Sequence, residues 1–430
     1  MTGSNNAHKD ETPSLGEATR VWWKIGILSF GGPAAQIALM HKEVVEDRGW
    51  LSERQYLNAL SFCMLLPGPE AMQLATYAGW RLHGTLGGLI AGLLFVIPGA
   101  AVIMTLAAIY SVYGNVPLVE ALFYGIKAAV LVIVVEALLR VAKKALSERV
   151  HWIIAGLAFV GIFFLSIPYP LIVLLAGLVG WVVGTTKEDQ QIVDIAHVSV
   201  GKALGTIASW LAIWLLPLFA LVWLGAPDLL VEVGTFFSTL AIVTFGGAYA
   251  VLAYMAQDVV VLFGWLSAGE MVDALGLAET TPGPLILVTQ FVGFLAGFKE
   301  GGLLLGLFAG LVALWVTFAP CFLWIFAGAP YIEWISNQPR LKGALKAIIA
   351  AVVGVILNLS IWFALHVLFA TVTQNQWGPI TLWRPELTSV EWLASLIFIL
   401  SCFLAFRLHW GIVKILAVAS LLGAVLRLAL

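Results

Sequence analysis

Two short segments of this 430-residue chain place proline, glycine and proline in a row, at 67–69 and 282–284. Proline lacks a backbone N–H and restricts the residue before it, so a helix has to stop at the first proline and restart near the second. A restarted helix presents free N–H groups and the positive end of its dipole, which together attract an anion. The residue types therefore predict oxyanion binding at two helix breaks.

The breaks belong to a longer motif that occurs twice. The motif runs from Phe30 to Pro69 and recurs from Phe245 to Pro284, 215 positions later (245 − 30), with 17 identities in 40 positions. Both copies contain Phe-Gly-Gly, Gly-Trp-Leu-Ser and Pro-Gly-Pro. The chain is therefore an internal duplication. Paired Gly and Pro interruptions in two apolar halves indicate a transport site.

Composition decides which elements position these breaks. Hydrophobic residues make up 61% of the chain and charged residues 11%, with a mean hydropathy of +0.99. So much apolar surface has to face lipid. The net charge of −2 gives no reason to expect nucleic acid, and the three cysteines show no metal or disulfide spacing. We predict an all-α polytopic membrane protein with no cofactor and no metal, made of two repeats of about six membrane elements each.

Polar segments divide the chain. We predict a polar N-terminal tail at 1–20 with no cleaved leader, a first membrane repeat at 21–184, a polar linker at 185–206 and a second repeat at 207–430.

The distribution of Lys and Arg predicts that the repeats are inverted. The loop after the first motif contains Lys42, Arg48 and Arg54, whereas its counterpart at 255–270 contains no Lys or Arg. Basic loops stay in the cytoplasm, so one loop is predicted inside and its counterpart outside. Basic residues also cluster after the first long helices and at the start of a later one, at Arg140, Lys143, Lys144, Arg149, Arg340, Lys342 and Lys346. All of these loops can be inside only if segment 56–79 enters the membrane and returns, as a re-entrant hairpin.

Candidate substrate-binding residues are the breaks and the polar or basic side chains near them. They are Phe30, Gly31, Gly32, Pro33, Pro67, Gly68, Pro69, Gln73, Thr76, Arg81, Lys127, Phe245, Gly246, Gly247, Thr281, Pro282, Gly283, Pro284 and Gln290. The alternative for each break is a packing kink, and for each polar side chain a bond between helices. The acidic residues near the breaks, Glu70 and Glu279 among them, are candidates for proton coupling, although helix caps are the commoner role.

At these residues the chain resembles the chromate transporter family in its long, two-domain form. The matching stretches include FGGPAAQIALMHKEVV at 30–45, LLPGPEAMQLATYAGWRLHG at 65–84, TFGGAYAVLAYMAQDVV at 244–260 and GLAETTPGPLILVTQFVGF at 276–294. The resemblance implies a multi-pass protein of the inner membrane that exports chromate, with sulfate as a chemically similar anion.

Other readings of the sequence remain open. A sulfate carrier or exchanger could handle chromate only by likeness, and a channel would need only a pore. A membrane enzyme is disfavoured, because no convergent nucleophile or metal constellation occurs. A monomer and a homodimer in the lipid bilayer are both compatible with the duplication.

Overall fold

The computed structural model of the chain describes residues 13–114, 116–183, 200–245, 248–332 and 338–429. Most of the predicted linker lies outside these ranges, and the predicted domain boundaries stay predictions. Six helices in the described ranges are long and apolar enough to cross a membrane. The chain is an all-α polytopic membrane protein, as predicted.

The helices of the first half are α1 (Leu15–Leu28), α2 (Gly32–His41), α3 (Glu53–Cys63), α4 (Glu70–Tyr113), α5 (Pro117–Ala145), α6 (Arg149–Phe163) and α7 (Tyr169–Val183). Those that follow are α8 (Val200–Trp223), α9 (Asp228–Val243), α10 (Ala248–Gln257), α11 (Ala268–Thr280), α12 (Val288–Gly328), α13 (Pro339–Leu368), α14 (Trp392–Cys402) and α15 (Ile412–Ala429). An antiparallel hairpin of β1 (Val372–Trp377) and β2 (Ile380–Pro385) separates α13 from α14. Short π-helical turns follow α2, α10 and α14 at Lys42–Glu46, Asp258–Leu262 and Phe403–Arg407, and 3₁₀ turns lie at Leu285–Leu287, Ala329–Tyr331 and Leu387–Ser389.

The helices α3 and α11 begin with the same cap. The hydroxyls of Ser52 and Ser267, which are 215 residues apart (267 − 52), accept a hydrogen bond from the backbone N–H three residues later. The side chains of Gln55 and Glu270 accept a bond in return from the serine N–H. This capping box satisfies donors that a helix start leaves free, so the Gly-Trp-Leu-Ser motif fixes the same helix start in both repeats.

The helices α1 and α2 form a hairpin that enters and leaves at one end of the molecule. Lys24 in α1 makes an ion pair with Glu43, just beyond α2, at 2.6 Å. If α2 continued in the direction of α1, these residues would be about 25 Å apart at 1.5 Å per residue. The chain reverses at Gly31 and Gly32, whose φ angles of 88° and 77° are readily adopted only by glycine.

The long helix α4 consists of two antiparallel arms, 70–82 and 85–113, which turn at Gly84 with a φ angle of 62°. Gly79 on the first arm lies so close to Gly87 on the second that a Cβ on Gly79 would overlap the Gly87 carbonyl. Only glycine permits this approach, which explains why a 44-residue helix folds back on itself.

The helix α3 and the first arm of α4 form a second hairpin at the same end as the first. The ion pair between His41 and Glu53, at 2.7 Å, places the start of α3 beside the end of α2. At the other side of the hairpin, a ring nitrogen of His83 lies 2.7 Å from the carbonyl oxygen of Pro13, beside the start of α1. The break at 67–69 is therefore the tip of a re-entrant hairpin, as the sequence predicts.

The second repeat has the same construction. Its long helix α12 divides into arms 288–300 and 303–328, which turn at Gly302 with a φ angle of 75°. Gly297 on the first arm approaches the Leu305 carbonyl at 2.6 Å, measured from the position that a Cβ would occupy. The break at 282–284 again lies between α11 and the first arm.

The two repeats run in opposite directions. On the second arms of α4 and α12, Gly88 faces Phe326 and Met104 faces Gly310, so these arms are antiparallel. Corresponding helices run antiparallel when two repeats have inverted topology. The inversion that the Lys and Arg distribution predicts is therefore present in the packing.

The remaining crossing helices exchange partners between the repeats. Gly125 of α5 packs against Ala419 of α15, and Ala347 of α13 packs against Gly180 of α7. The helices α5 and α13 both begin with proline at the first position, and 347 − 125 equals 339 − 117, which is 222. This offset gives the residue correspondence between α5 and α13.

The helix α8 lies between the repeats and crosses the molecule once. Trp210 stacks on Phe322 near the end of α12, with 5.4 Å between ring centroids. Two turns later, Leu218 packs against Gly234, which also faces Val312 near the start of the same arm. The helix α8 is therefore antiparallel to the second arm of α12 and carries the chain from one end of the molecule to the other.

Candidate anion site

The two Pro-Gly-Pro breaks are each bonded to the other repeat. The N–H of Gly68 donates to the carbonyl of Thr244 at 3.0 Å, and the N–H of Gly283 donates to the carbonyl of Ser29 at 2.9 Å. Both pairs differ by 215 (283 − 68 and 244 − 29), so the two bonds share the symmetry of the repeats. These two amides are therefore engaged, and the donors left for an anion are those in the first turns of the restarted helices.

Two buried glutamines satisfy carbonyl groups that the breaks expose. The Gln36 side-chain amide donates to the Ser29 carbonyl at 3.2 Å and to the Gly283 carbonyl at 2.6 Å. The Gln73 amide donates to the Pro67 carbonyl at 2.7 Å. Backbone carbonyls inside a membrane need such partners, because no lipid group can supply them.

A cavity of about 440 Å³ opens beside the first break. Segments of α2, α3, α5, α6, α10 and α13 form its wall. At about 30 Å³ per water molecule it has room for some fifteen waters, enough for a small oxyanion with part of its hydration shell.

Basic side chains line the outer part of this cavity. Arg140 and Lys144 lie one turn apart on α5, and Lys346 faces them from α13. His151 of α6 lines the same region, with its ring 3.3 Å from the Ser147 hydroxyl. We call the end of the molecule where these residues lie the basic end; it is also the end where both hairpins of the first repeat enter.

Helix starts line the inner part of the cavity. Pro33 and Ala34 belong to the first turn of α2, Gly68 and Glu70 lie at the start of α4, and Tyr249 lies in the first turn of α10. Each helix start contributes about half a positive charge. The one carboxylate on the wall, that of Glu70, is outnumbered by three cationic side chains, which leaves a formal charge of +2 (3 − 1).

Of the predicted site residues, Pro33 and Gly68 line this cavity. Gly246 and Gly247 lie outside the described residues. The rest of the first-repeat set is placed nearby or at the surface: Phe30 is 44% exposed, Gly31 and Gly32 form the turn before α2, and Pro67 and Pro69 are buried. Gln73 bonds to its own break, Thr76 donates to the Met72 carbonyl, and Arg81 is exposed at the end of the first arm of α4.

The remaining predicted residues lie at the second break or beyond it. Thr281 donates to the Ala278 carbonyl, Pro282 and Gly283 face the second arm of α4, and Pro284 precedes a 3₁₀ turn. Gln290 is buried, with a side-chain oxygen that has no partner, and Phe245 is half-buried. Lys127 makes an ion pair with Asp273 at 3.2 Å on the side away from the basic end. The roles of all these residues in binding stay predictions.

Sequence reasoning did not select the basic residues of the cavity as site residues. Arg140, Lys144 and Lys346 served there only as orientation signals. The spacing of Arg140 and Lys144, four residues apart, was an available signal, because it places both on one face of a helix. Nothing local pointed to Gln36, whose partner Gly283 is 247 residues away.

Comparison with known proteins gives a consistent family assignment. The sequence profile described as "Chromate transporter" matches residues 16–181 and 231–426, which leaves α8 between the two matched regions. The chain is 33% identical over 347 residues to the chromate transport protein of Pseudomonas aeruginosa, covering 77% of each chain. It is 31% identical over 362 residues to the probable chromate transport protein of Synechococcus elongatus, covering 81% of this chain and 84% of that one.

A third relative, the chromate transport protein of Cupriavidus metallidurans, is 27% identical over 359 residues, with 83% of this chain and 84% of that one covered. No solved structure matches the chain significantly. With its profile matched in both inverted repeats and its breaks bonded across them, the chain belongs to the chromate transporter family.

Proposed function

We propose that this chain is a secondary transporter, not an enzyme, that exports chromate across the inner membrane. The cavity at the basic end is the site where the anion enters from the cytoplasm. The observation that carries this proposal is the convergence of three cationic side chains and three helix starts on one cavity beside a helix break. The names of the relatives supply the identity of the anion.

The direction of transport follows from the charge of the cargo and the position of the basic end. Basic loops stay in the cytoplasm, so the cavity faces the cytoplasm. Moving one charge through 100 mV is worth about 2.3 kcal/mol, so a dianion leaving a cell that is negative inside gains about 4.6 kcal/mol. Export therefore needs no coupling ion, whereas uptake against this field would need at least two protons per dianion.

A second candidate is a carrier of sulfate or another oxyanion that accepts chromate by likeness. The wall of the cavity favours it, because cationic side chains and helix starts recognise the charge and shape of a tetrahedral dianion and not its central atom.

The test is uptake of radiolabelled chromate into everted membrane vesicles, with and without an imposed potential, and with excess sulfate as competitor. Replacing Arg140, Lys144 and Lys346 together by alanine should reduce uptake at low chromate concentration at least about tenfold, since each tenfold corresponds to about 1.4 kcal/mol of binding. Lys143→Ala is the matched control, because Lys143 is an exposed neighbour on α5 that does not line the cavity.

Uptake that follows the potential, and that is lost in the triple variant but not in Lys143→Ala, would support export through this cavity. Transport of sulfate without transport of chromate would assign the second candidate. Full chromate uptake by the triple variant would reject the cavity as the entry site.

A further inference from the structure

The two repeats correspond in sequence but differ in packing at one place. In the first repeat, the cavity separates α3 from α13, and Leu60 and Ile349 face each other across it. In the second repeat, the corresponding helices α11 and α5 are in contact, with Gly276 packed against Ile126 and Val130. The second repeat therefore contains the closed counterpart of the open cavity.

Exposure along the two corresponding helices shows the same difference. Leu57 of α3 is 48% exposed, whereas Val272, 215 residues later (272 − 57), is 1% exposed. Leu60 lines the cavity, whereas its counterpart Leu275 is fully buried. One face of α11 is thus covered where the matching face of α3 is open.

A buried ion pair lies at this closed contact. Lys127 of α5 corresponds to Ile349 of α13 at the offset of 222 (349 − 127), so it occupies the position that lines the open cavity. Its ammonium lies 3.2 Å from Oδ2 of Asp273 in α11, and the same oxygen accepts a hydrogen bond from the Tyr110 hydroxyl at 2.7 Å. Asp273 is 3% exposed, and its Oδ1 is buried without a partner.

Such a pair has a high desolvation cost and does not satisfy all of its polar atoms. A cation inside a membrane segment is costly unless it serves a function. Inverted repeats transport by exchanging their open and closed arrangements around a fixed site. The exchange would separate α11 from α5, remove Asp273 from Lys127, and leave the ammonium facing a cavity that opens away from the basic end.

We propose that Lys127 is the cation of a second oxyanion site on the exit side, and that Asp273 and Tyr110 keep this site closed in the present conformation. The carboxylate of Asp273 holds the ammonium until the cargo replaces it. This proposal rests on the proposed function for the identity of the cargo, but the closed contact itself can be tested without any cargo.

The first test measures the accessibility of single cysteines. In a protein whose Cys63, Cys321 and Cys402 are replaced by serine, Leu60→Cys and Leu275→Cys occupy corresponding positions in the two repeats. A membrane-impermeant maleimide should label Leu60→Cys from the basic end and label Leu275→Cys slowly from either end.

Adding Asp273→Asn should speed the labelling of Leu275→Cys from the other end about tenfold and slow that of Leu60→Cys. Tyr110→Phe removes a single hydrogen bond and should act in the same direction, which covers the case that Asp273→Asn fails to fold. Glu270→Gln is the matched control: it breaks the surface ion pair with Lys299 on the same helix and should leave both rates unchanged. Unchanged labelling in folded Asp273→Asn and Tyr110→Phe would overturn the proposal.

The second test separates the exit site from the entry cavity. Lys127→Ala should reduce chromate transport at least about tenfold while equilibrium binding of chromate to the purified resting protein stays within about twofold, and Lys127→Arg should restore most of the transport. The triple variant of the entry cavity should lose binding and transport together. Normal transport by Lys127→Ala would reject the exit site and leave the proposed function intact, whereas absence of chromate binding in the unmodified protein would reject the cargo and leave the labelling test valid.

Discussion

A buried glutamine in α2 contacts the break of the opposite repeat. Gln36 is 1% exposed, and its amide donates to the carbonyls of Ser29 and Gly283, which belong to different repeats. Its counterpart 215 residues later is Val251, so comparison of the two repeats gives no sign of its role. A contact across 247 residues could not be inferred from local sequence, because residue type shows that a side chain can donate but not to which group.

Replacing Gln36 by methionine should destabilise the protein, because it leaves buried carbonyls with fewer partners while keeping the size of the side chain. The expected cost is about 1–3 kcal/mol, measured as a lower thermal unfolding midpoint of the purified protein in detergent. Gln374→Met on the exposed strand β1 is the control and should leave the midpoint unchanged. An equal midpoint for Gln36→Met would mean that this side chain does not join the repeats.

Among the elements, the folded-back helices α4 and α12 were only partly predictable. Sequence analysis correctly placed a re-entrant turn at the Pro-Gly-Pro break. It did not detect that the second repeat gains a 3₁₀ turn at Leu285–Leu287, after which corresponding residues differ by 218 instead of 215, as Gly84 and Gly302 do (302 − 84). A constant offset hides such an insertion, because apolar helices tolerate many alignments with similar residue types.

The close approach of the two arms of α4 predicts a strong effect of a single methyl group. Gly79→Ala should destabilise the hairpin by about 1–3 kcal/mol through overpacking against Gly87 and Ala91. Gly156→Ala in α6 is the control, since no atom lies near the added Cβ, and should stabilise its helix by up to about 1 kcal/mol. Thermal unfolding of both variants measures the difference; equal midpoints would contradict the packing described for the arms.

At the scale of the whole molecule, inversion was predictable and the difference between the repeats was not. The loop with Lys42, Arg48 and Arg54 and its uncharged counterpart were sufficient to predict opposite orientations. The open cavity at α3 and the closed contact at α11 belong to one conformation of the protein, and two nearly equivalent repeats give the sequence no means of stating which one is open.

The inversion can be measured directly at corresponding exposed positions. Asp47 and Leu262 are both exposed and differ by 215 (262 − 47). In the thiol-free protein, Asp47→Cys should react with an impermeant maleimide only in everted vesicles, where the cytoplasmic face is outside. Leu262→Cys should react only in intact cells or right-side-out vesicles. Reaction of both from the same side would contradict inverted repeats.

The position of α8 has a consequence for how such a chain can arise from two copies of one unit. Each repeat contributes four crossings, which is an even number, so a tandem copy joined directly would insert in the same sense as the first. The single crossing of α8, outside both matched regions, changes the parity and turns the second copy over. If the chain were split within 184–199, the second piece would keep its orientation only with α8 attached. Two half-length proteins without such a helix would instead need opposite charge biases in their loops to assemble the same pair.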